Sequence, residues 1–413
     1  MAEQHEKALV PQIRFTGFTD PWEQRKVQDV ADRFDNLRIP VAANLRVHGK
    51  TPYYGANGIQ DYVDGFTHDG EFVLVAEDGA NDLKNYPVKC VNGRIWVNNH
   101  AHVLQGKAGI ADNSFLAFAI SQSDIESLLV GGGRAKLNAE TLMSIEFRLP
   151  CLQEQHQIGE YLTRLDHLIT LHQRKYDKLC VLKKSMLDKM FPKGGSLYPE
   201  IRFAGFTDPW EQRKLGELAS KRIEKNTNGI KETFTNSAEH GVVSQLDYFD
   251  HDITNDANIG NYSVVHPDDF IYNPRISAVA PCGPINRNKL DRNGVMSPLY
   301  TVFSVDDTID KLYLEHYFKT SRWHQFMFLE GNSGARSDRF SISDSIFFEM
   351  PIQCPVLEEQ ELIASFFGRL DSLITLHQRK YDGCANPLFL ERRISCRKPS
   401  HQNRCSATTT PSG

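Results

Sequence analysis

The chain lacks a run of roughly 18 uncharged residues, the length a membrane helix needs, and its opening MAEQHEKALVPQIRF has no apolar stretch of a secretory signal. A cytoplasmic protein is expected. The eight cysteines (positions 90, 151, 180, 282, 354, 384, 396 and 405) include no CxxC pair, so neither a disulfide framework nor a zinc site is indicated and reduced thiols are expected. Strong charge of one sign is also missing. A formal charge of −5 argues against a stand-alone protein that coats nucleic acid through its overall field. No GxxxxGKS phosphate loop, HExxH, GxSxG or Cys/His cluster occurs, so no motor, metal site or acyl-transfer centre is indicated. An adenine methyltransferase would show Asn-Pro-Pro-aromatic, and the nearest approach, Asn273-Pro274-Arg275, fails. Asp82-Leu83-Lys84 has the form of a nuclease triplet, but three such residues arise by chance in chains of this length. No catalytic residue is assigned, and a binding or scaffolding role leads.

What is present is an ordinary globular mixture of 413 residues, 40% apolar and 24% charged, long enough for two or three domains. An internal repeat dominates it. IRFTGFTDPWEQRK (Ile13 to Lys26) returns as IRFAGFTDPWEQRK (Ile201 to Lys214), with one difference in 14 positions at an offset of 188. RLDHLITLHQRKYD (Arg164 to Asp177) returns as RLDSLITLHQRKYD (Arg369 to Asp382), with one difference at an offset of 205. The stretches between show no comparable identity. Near-identity confined to the joints implies that the joints match one thing twice while the inserts meet different things.

The joints read as helices. Ile158, Leu162, Leu165, Ile169, His172 and Tyr176 recur at alternating spacings of four and three, continued by Leu179, Lys183, Met186 and Met190; Ile363, Phe367, Leu370, Ile374, His377 and Tyr381 repeat the seam. This is a heptad pattern. A helix from about Leu152 to Met190, stopped by Pro192 and Gly194-Gly195, would run close to 60 Å. The two helices are expected to pair antiparallel as a spacer. The expected class is mixed α/β (α+β), with two globular domains carrying twisted β-sheets separated by two long antiparallel coiled-coil helices.

The expected divisions are 1–26, a repeated segment; 27–150, the first insert; 151–193, the long central helix; 194–214, linker and repeat; 215–353, the second insert; 354–383, a shortened distal helix; and 384–413, an atypical tail. Strand-like runs lie at Glu71 to Ala76, Arg94 to Val97, Tyr262 to Val265, Phe270 to Tyr272 and Tyr300 to Val305, and helical stretches at Ser114 to Val130 and Leu312 to Leu329. Both inserts close with a Gly/Arg turn and an apolar strand, then Leu149-Pro150 or Met350-Pro351 ahead of Glu-Gln at 154-155 and 359-360.

These features resemble the DNA specificity subunit of type I restriction-modification enzymes over residues 11 to about 382. The resemblance is carried by the GFTDPWEQRK openings, the Pro then Glu-Gln exits, the LDxLITLHQRKYD helices and the helix end LKKSMLDKMFP from Leu182 to Pro192. Inside the inserts it is carried by TPYYGANGIQDYVDGF, VLVAEDGAN and SGARSDRFSIS. It implies a non-catalytic reader in which two target-recognition domains each read half of a split site in double-stranded DNA. The conserved helices then dock two modification subunits, with restriction subunits joining through them. S-adenosylmethionine, ATP and Mg would belong to those partners, with no cofactor on this chain and no membrane partner. The runner-up is a truncated or phase-variable fragment acting only as a helical protein-binding adaptor.

Base contacts need donors and acceptors on exposed loops. The candidates are Tyr53, Tyr54, Asn57, Gln60, Arg94, Asn98, Asn99 and His100 in the first insert, and Arg275, Arg287, Asn288, Lys289 and Arg292 in the second. Arg134, Lys136, Arg336 and Arg339, in the two closing turns, are candidates for phosphate. After Asp382 the pattern departs. The expected Lys-Lys-x-Met-Leu ending is replaced by GCANPLFLERRISCRKPSHQNRCSATTTPSG, where Gly383 and Pro387 are expected to break the helix and the charge excess is four positive.

Overall fold

The structure, a computed structural model, describes residues 11, 13–131, 135–248, 256–332 and 338–385. The described residues form two compact units, one up to His172 together with those from Lys380 on, the other Gln173–Arg379.

The first unit holds β1 (Glu23–Lys26), β2 (Ala31–Arg33), β3 (His48–Gly55), β4 (Gly58–Val63), β5 (His68–Ala76), β6 (Val88–Val97), β7 (Ala101–Gly106), α1 (Asn113–Ser121), α2 (Ala139–Ser144), β8 (Glu146–Leu149) and the start of α3 (Leu152–Lys189). Six strands form one sheet in the order β2-β7-β5-β6-β3-β4. Because side chains alternate across a strand, β5 feeds two cores. Val73 and Val75 face a cluster with Phe115, Leu116 and Ile120 of α1, while Phe72 and Leu74 face Tyr54, Ile95 and Val103.

The second unit holds β9 (Glu211–Lys214), β10 (Ala219–Lys221), β11 (Phe234–Ser237), β12 (Gly241–Ser244), β13 (Ser263–Val265), β14 (Phe270–Tyr272), β15 (Ile285–Arg287), β16 (Gly294–Met296), β17 (Thr301–Val305), α4 (Lys311–Tyr317), α5 (His324–Glu330), α6 (Asp344–Phe347), β18 (Pro351–Cys354) and α7 (Leu357–Ala385), which ends in the first unit. Its main sheet runs β10-β17-β14-β15. The same alternation recurs, with Phe270 and Tyr272 in one core and Ile271 in another. The inserts share a plan.

Each insert is gripped by the same neck. The EQRK strand pairs antiparallel with the strand before the long helix in one register, Glu23 opposite Leu149 and Glu211 opposite Cys354. Arg14 forks onto Glu154 with two bonds of 2.7 Å, and Arg202 onto Glu359 with two of 2.8 Å. The next residue staples the insert helix. Gln155 Oε1 accepts from Asp112 N and Gln360 Oε1 from Asp310 N, both at 2.9 Å, while their amides donate to the Pro150 and Pro355 carbonyls. Asp112 and Asp310 then cap α1 and α4 by accepting from Phe115 N and Tyr313 N. Gly159 allows the close approach, since a β-carbon there would lie 2.9 Å from Phe115 N.

Several expectations need correction. The counterpart of Pro150 is Pro355, not Pro351, which instead begins β18; the apolar run before it turns as α6. The helix expected over Ser114 to Val130 ends at Ser121, and that over Leu312 to Leu329 is two helices divided at residues 318–323. In the second of these the Thr320 hydroxyl bonds back to Tyr317 O and ends the turn. Helix α7 continues through Gly383 to Ala385, because one glycine costs only about 1 kcal/mol against 28 supporting residues. Pro387 lies outside the described residues. Cys151 is disulfide-bonded rather than a reduced thiol, which sequence spacing does not reveal; Cys90, Cys180, Cys282 and Cys354 are free.

The seam positions are the less exposed face of both helices, but they change partners along their length. Ile158 packs on the first insert core, and Ile363, Phe367 and Leu370 lie in the second, so these four grip their own inserts rather than only a sister helix. Within the second unit the helices run antiparallel: Lys183 pairs with Asp371 at 2.5 Å, and Phe191 stacks on Phe367 at 6.1 Å.

Candidate nucleic-acid interface

In the first unit most of the expected residues come together, at the loops joining β3 to β4, β5 to β6 and β6 to β7. Asn57 Nδ2 donates to Gly79 O and its Oδ1 accepts from Asn81 N, both at 2.9 Å. Asn98 N donates to Tyr54 O, its Oδ1 accepts from His100 N, and its amide reaches Gln60 Oε1 at 3.4 Å. His100 Nδ1 meets Asp78 Oδ1, and the Asp78 backbone forms an antiparallel β-bridge with that of Lys136, whose Nζ lies 2.8 Å from Glu77. Asn99 is exposed at the turn. Arg94 is drawn aside by Asp69 at 3.1 Å and by the ring of Phe66.

Three placements are corrected. Asn98 is 4% exposed, with its amide and its Oδ1 both bonded within the loop cluster, so it is structural rather than an exposed contact. Tyr53 is 1% exposed, with its hydroxyl donating to Val41 O, accepting from Val41 N, and Arg46 lying over its ring; Tyr54 is also interior. They are adjacent strand residues, not loop contacts; they sit at a register shift between β3 and β4, and both sides of the strand are covered there. Arg134 lies outside the described residues.

A buried charge network holds this loop cluster from beneath. Glu77 receives Arg38 at 2.7 Å as well as Lys136, and Asp35 receives His102 Nδ1 at 2.7 Å. Burial alone would raise the Asp35 carboxyl, but bonds from His102 and from Val103 N outweigh it and hold it below the usual range. His102 Nε2 faces Leu137 O at 2.9 Å, so both ring nitrogens face acceptors and the ring is locked in place. Sequence reading missed this network, because the bonded partners named here are 35 to 68 residues apart.

In the second unit the expected basic run divides. Asn288 is fully buried, donating to His266 O at 2.9 Å and accepting from Leu290 N, so it is structural rather than an exposed contact. Arg287 is neutralised by Glu315 at 2.9 Å and by Asp268, Lys289 also pairs with Glu315, and Arg292 pairs with Glu232 at 3.0 Å. These three candidates for base contacts therefore have their charges met within the chain. Arg275 and Arg339 differ. Bonds from Ile276 N to Asp338 O and from Phe340 N to Pro274 O flank them, which makes the two arginines a non-hydrogen-bonded antiparallel pair, the closer kind. Arg275 is exposed and Arg339 half-buried, and neither has an ion pair among the described residues. Like charges directly opposite cost stability, and no carboxylate among the described residues offsets this pair. Arg336 lies outside the described residues.

Beneath Glu315, His316 is 1% exposed and neither ring nitrogen has a partner. Burial and the nearby Lys183 charge push it down to about 4, against opposing pulls from Asp371 and Glu315. Since the folded state holds the ring neutral, its contribution is complete above 6.5 and is lost as pH falls from 6.5 to about 4. The full loss is roughly 3 kcal/mol. Urea midpoints at pH 7 and pH 4.5 are expected to differ less in His316→Leu than in the parent chain; equal pH sensitivity would refute the assignment.

Among the described residues no group of three or more His, Cys, Asp or Glu is placed to hold a metal, and no helix is long and apolar enough to cross a membrane.

Comparison with known proteins agrees with the repeated neck. A family model described as the type I restriction modification DNA specificity domain matches twice, over residues 19–180 and 207–383. A Haemophilus influenzae protein described as a type I restriction enzyme specificity subunit is 44% identical over 146 residues, 35% of this chain and 38% of that one. The MjaVIII specificity subunit of Methanocaldococcus jannaschii is 23% identical over 238 residues, 51% of this chain and 54% of that one. The chain thus spans about a third to a half of the length of these relatives. The crystal structure of a type I restriction-modification S subunit from M. genitalium has the same fold, with a TM-score of 0.59 at 13% identity, covering 94% of this chain and 96% of that one. With two matched copies of the domain on two identical necks, the chain belongs to the type I restriction modification DNA specificity family.

Proposed function

We propose that this chain is the non-catalytic specificity subunit of a type I restriction-modification enzyme, each unit reading one half of a split DNA site in the major groove. The constant helices dock two modification subunits, and restriction subunits join through these. S-adenosylmethionine, ATP and magnesium stay with the partners. The observation that carries the reading is the pairing of constant and variable parts: one neck register, one ion pair and one glutamine staple built twice beneath sheets whose loops differ. Twofold joints suit two copies of one partner, and unlike loops suit two base sequences. Asn57, Gln60 and Asn99, exposed around the buried Asn98, offer the amide groups that read base edges. Arg275 and Arg339 suit a phosphate that positions without specifying.

The test is a mobility-shift titration with the cognate modification subunit over a series of salt concentrations. A sequence-selective, salt-sensitive complex is expected. The Arg275→Ala/Arg339→Ala double variant should weaken binding to all sequences and reduce the salt slope by about two. Weakening confined to one sequence would refute the phosphate role. Helix-mediated assembly without any DNA complex would instead favour a protein-binding adaptor.

A further inference from the structure

The two necks differ in what fills the space beside their tryptophan. In the second unit Phe191, at the end of α3, sits fully buried among four rings: Trp210 at 6.1 Å, Tyr313 at 5.5 Å, Tyr317 at 6.0 Å and Phe367 at 6.1 Å. Met190 is buried in the same core. The repeats and the paired helix caps map these four residues onto Trp22, Phe115, Ala119 and Leu162 of the first unit. Trp22 meets Phe115 edge-on at 6.0 Å, as Trp210 meets Tyr313 at 6.1 Å. All four line an open, mainly apolar groove of about 820 Å³.

By the constant offset of 205, the positions that would carry Met190 and Phe191 into this groove are Ser395 and Cys396. Both are too small to fill it. They belong to the tail, beyond the end of α7 at Ala385, where the sequence leaves the repeat. The rim differs too. In the second unit Arg322 donates to Asp188 O at 2.6 Å and holds the helix end. Its counterpart is Asp124, which lines the groove with Glu146 and Arg148. Glu146 is met by Gln24 and Lys26, which leaves Asp124 as the acidic rim group without an ion pair among the described residues and favours a cationic occupant. The stretch Lys178 to Lys193 carries five lysines against one aspartate.

We propose that the groove beside Trp22, open among the described residues, is a socket for a basic amphipathic helix end of the Leu179–Phe191 type, supplied in trans by another polypeptide. A second copy of this chain is a poor donor, because its own Met190 and Phe191 are buried in its second unit. The site needs no DNA and stands apart from the DNA-reading role.

A peptide of the Lys178-to-Lys193 sequence, titrated into the full chain without DNA, should bind saturably at one to one. Phe191→Ala in the peptide should weaken binding at least tenfold. Ala119→Trp in the chain, which fills the groove from within, should abolish binding with circular dichroism unchanged. A second arm grafts the Leu179-to-Lys193 sequence in place of residues 384–398, and should raise the thermal midpoint and eliminate peptide binding. Failure of both arms overturns the proposal. Binding only after removal of residues 386–413 would make the chain's own tail the occupant, and a self-dimer dissolved by the peptide would make it a second copy; either result also overturns supply in trans.

Discussion

Truncating Phe191 to Ala is expected to destabilise the second unit by about 3 to 5 kcal/mol, the range for emptying a large, fully enclosed aromatic site. Its four ring neighbours come from the EQRK neck, from α4 and from α7, so no single element can move to close the void. With a urea dependence of about 2 to 3 kcal/mol per molar, the midpoint should fall by about 1 to 2.5 M, followed by tryptophan fluorescence. Phe191→Leu should recover more than half of the loss, since it restores most of the buried volume. A loss below about 1 kcal/mol would mean that the end of α3 is not part of this core. The same residue explains why a helix of 38 residues stops where it does. Pro192 ends the backbone pattern, and Phe191 pins the last turn.

That helix shows what a sequence can reveal. Its seam is periodic, its repeat is nearly identical, and Pro192 marks its end, so range and exposed face were legible from local pattern. The EQRK strands were legible only as words; their partners lie more than 120 residues away, and only the structure shows that both necks use one register. The Pro351 assignment failed because Leu-Pro and Met-Pro look alike locally, whereas the offset of 205 fixed by the Glu-Gln pairs points to Pro355. Candidate contacts failed for another reason. Arg287, Lys289 and Asn288 have the donors that DNA recognition uses, but a donor's availability depends on its neighbours. Glu315, on α4, takes up two of those charges, and the His266 carbonyl takes up the amide. Arg275 and Arg339, 64 residues apart, became a pair only when the backbone bridge placed them side by side. Residue type was readable at every one of these positions; charge balance was not.

The second large effect is expected at Glu359. Its carboxylate is fully buried and takes both prongs of Arg202 at 2.8 Å, a forked geometry that adds strength and direction. Glu359→Gln keeps the shape but removes the charge. The guanidinium is left facing an amide that can accept only part of its hydrogen bonding, and breaking a buried pair in this way costs about 3 to 5 kcal/mol. Glu154→Gln, facing Arg14 at 2.7 Å, should cost a similar amount in the first unit, because the two necks share their geometry. The double variant Arg202→Met/Glu359→Leu separates charge loss from shape. Replacing both partners with apolar groups of similar volume removes the stranded charge, so it should recover most of what Glu359→Gln loses. A double variant no more stable than the single would refute a stranded charge as the cause. A loss under about 1 kcal/mol in Glu359→Gln would show that the glutamine staple and the strand pairing suffice to hold the neck. The expected large loss would explain how the inserts diverged while the joints did not. Holding each insert depends on an ion pair, a staple and a strand register that lie outside the loops proposed to read DNA, so those loops are free to change without loosening the grip.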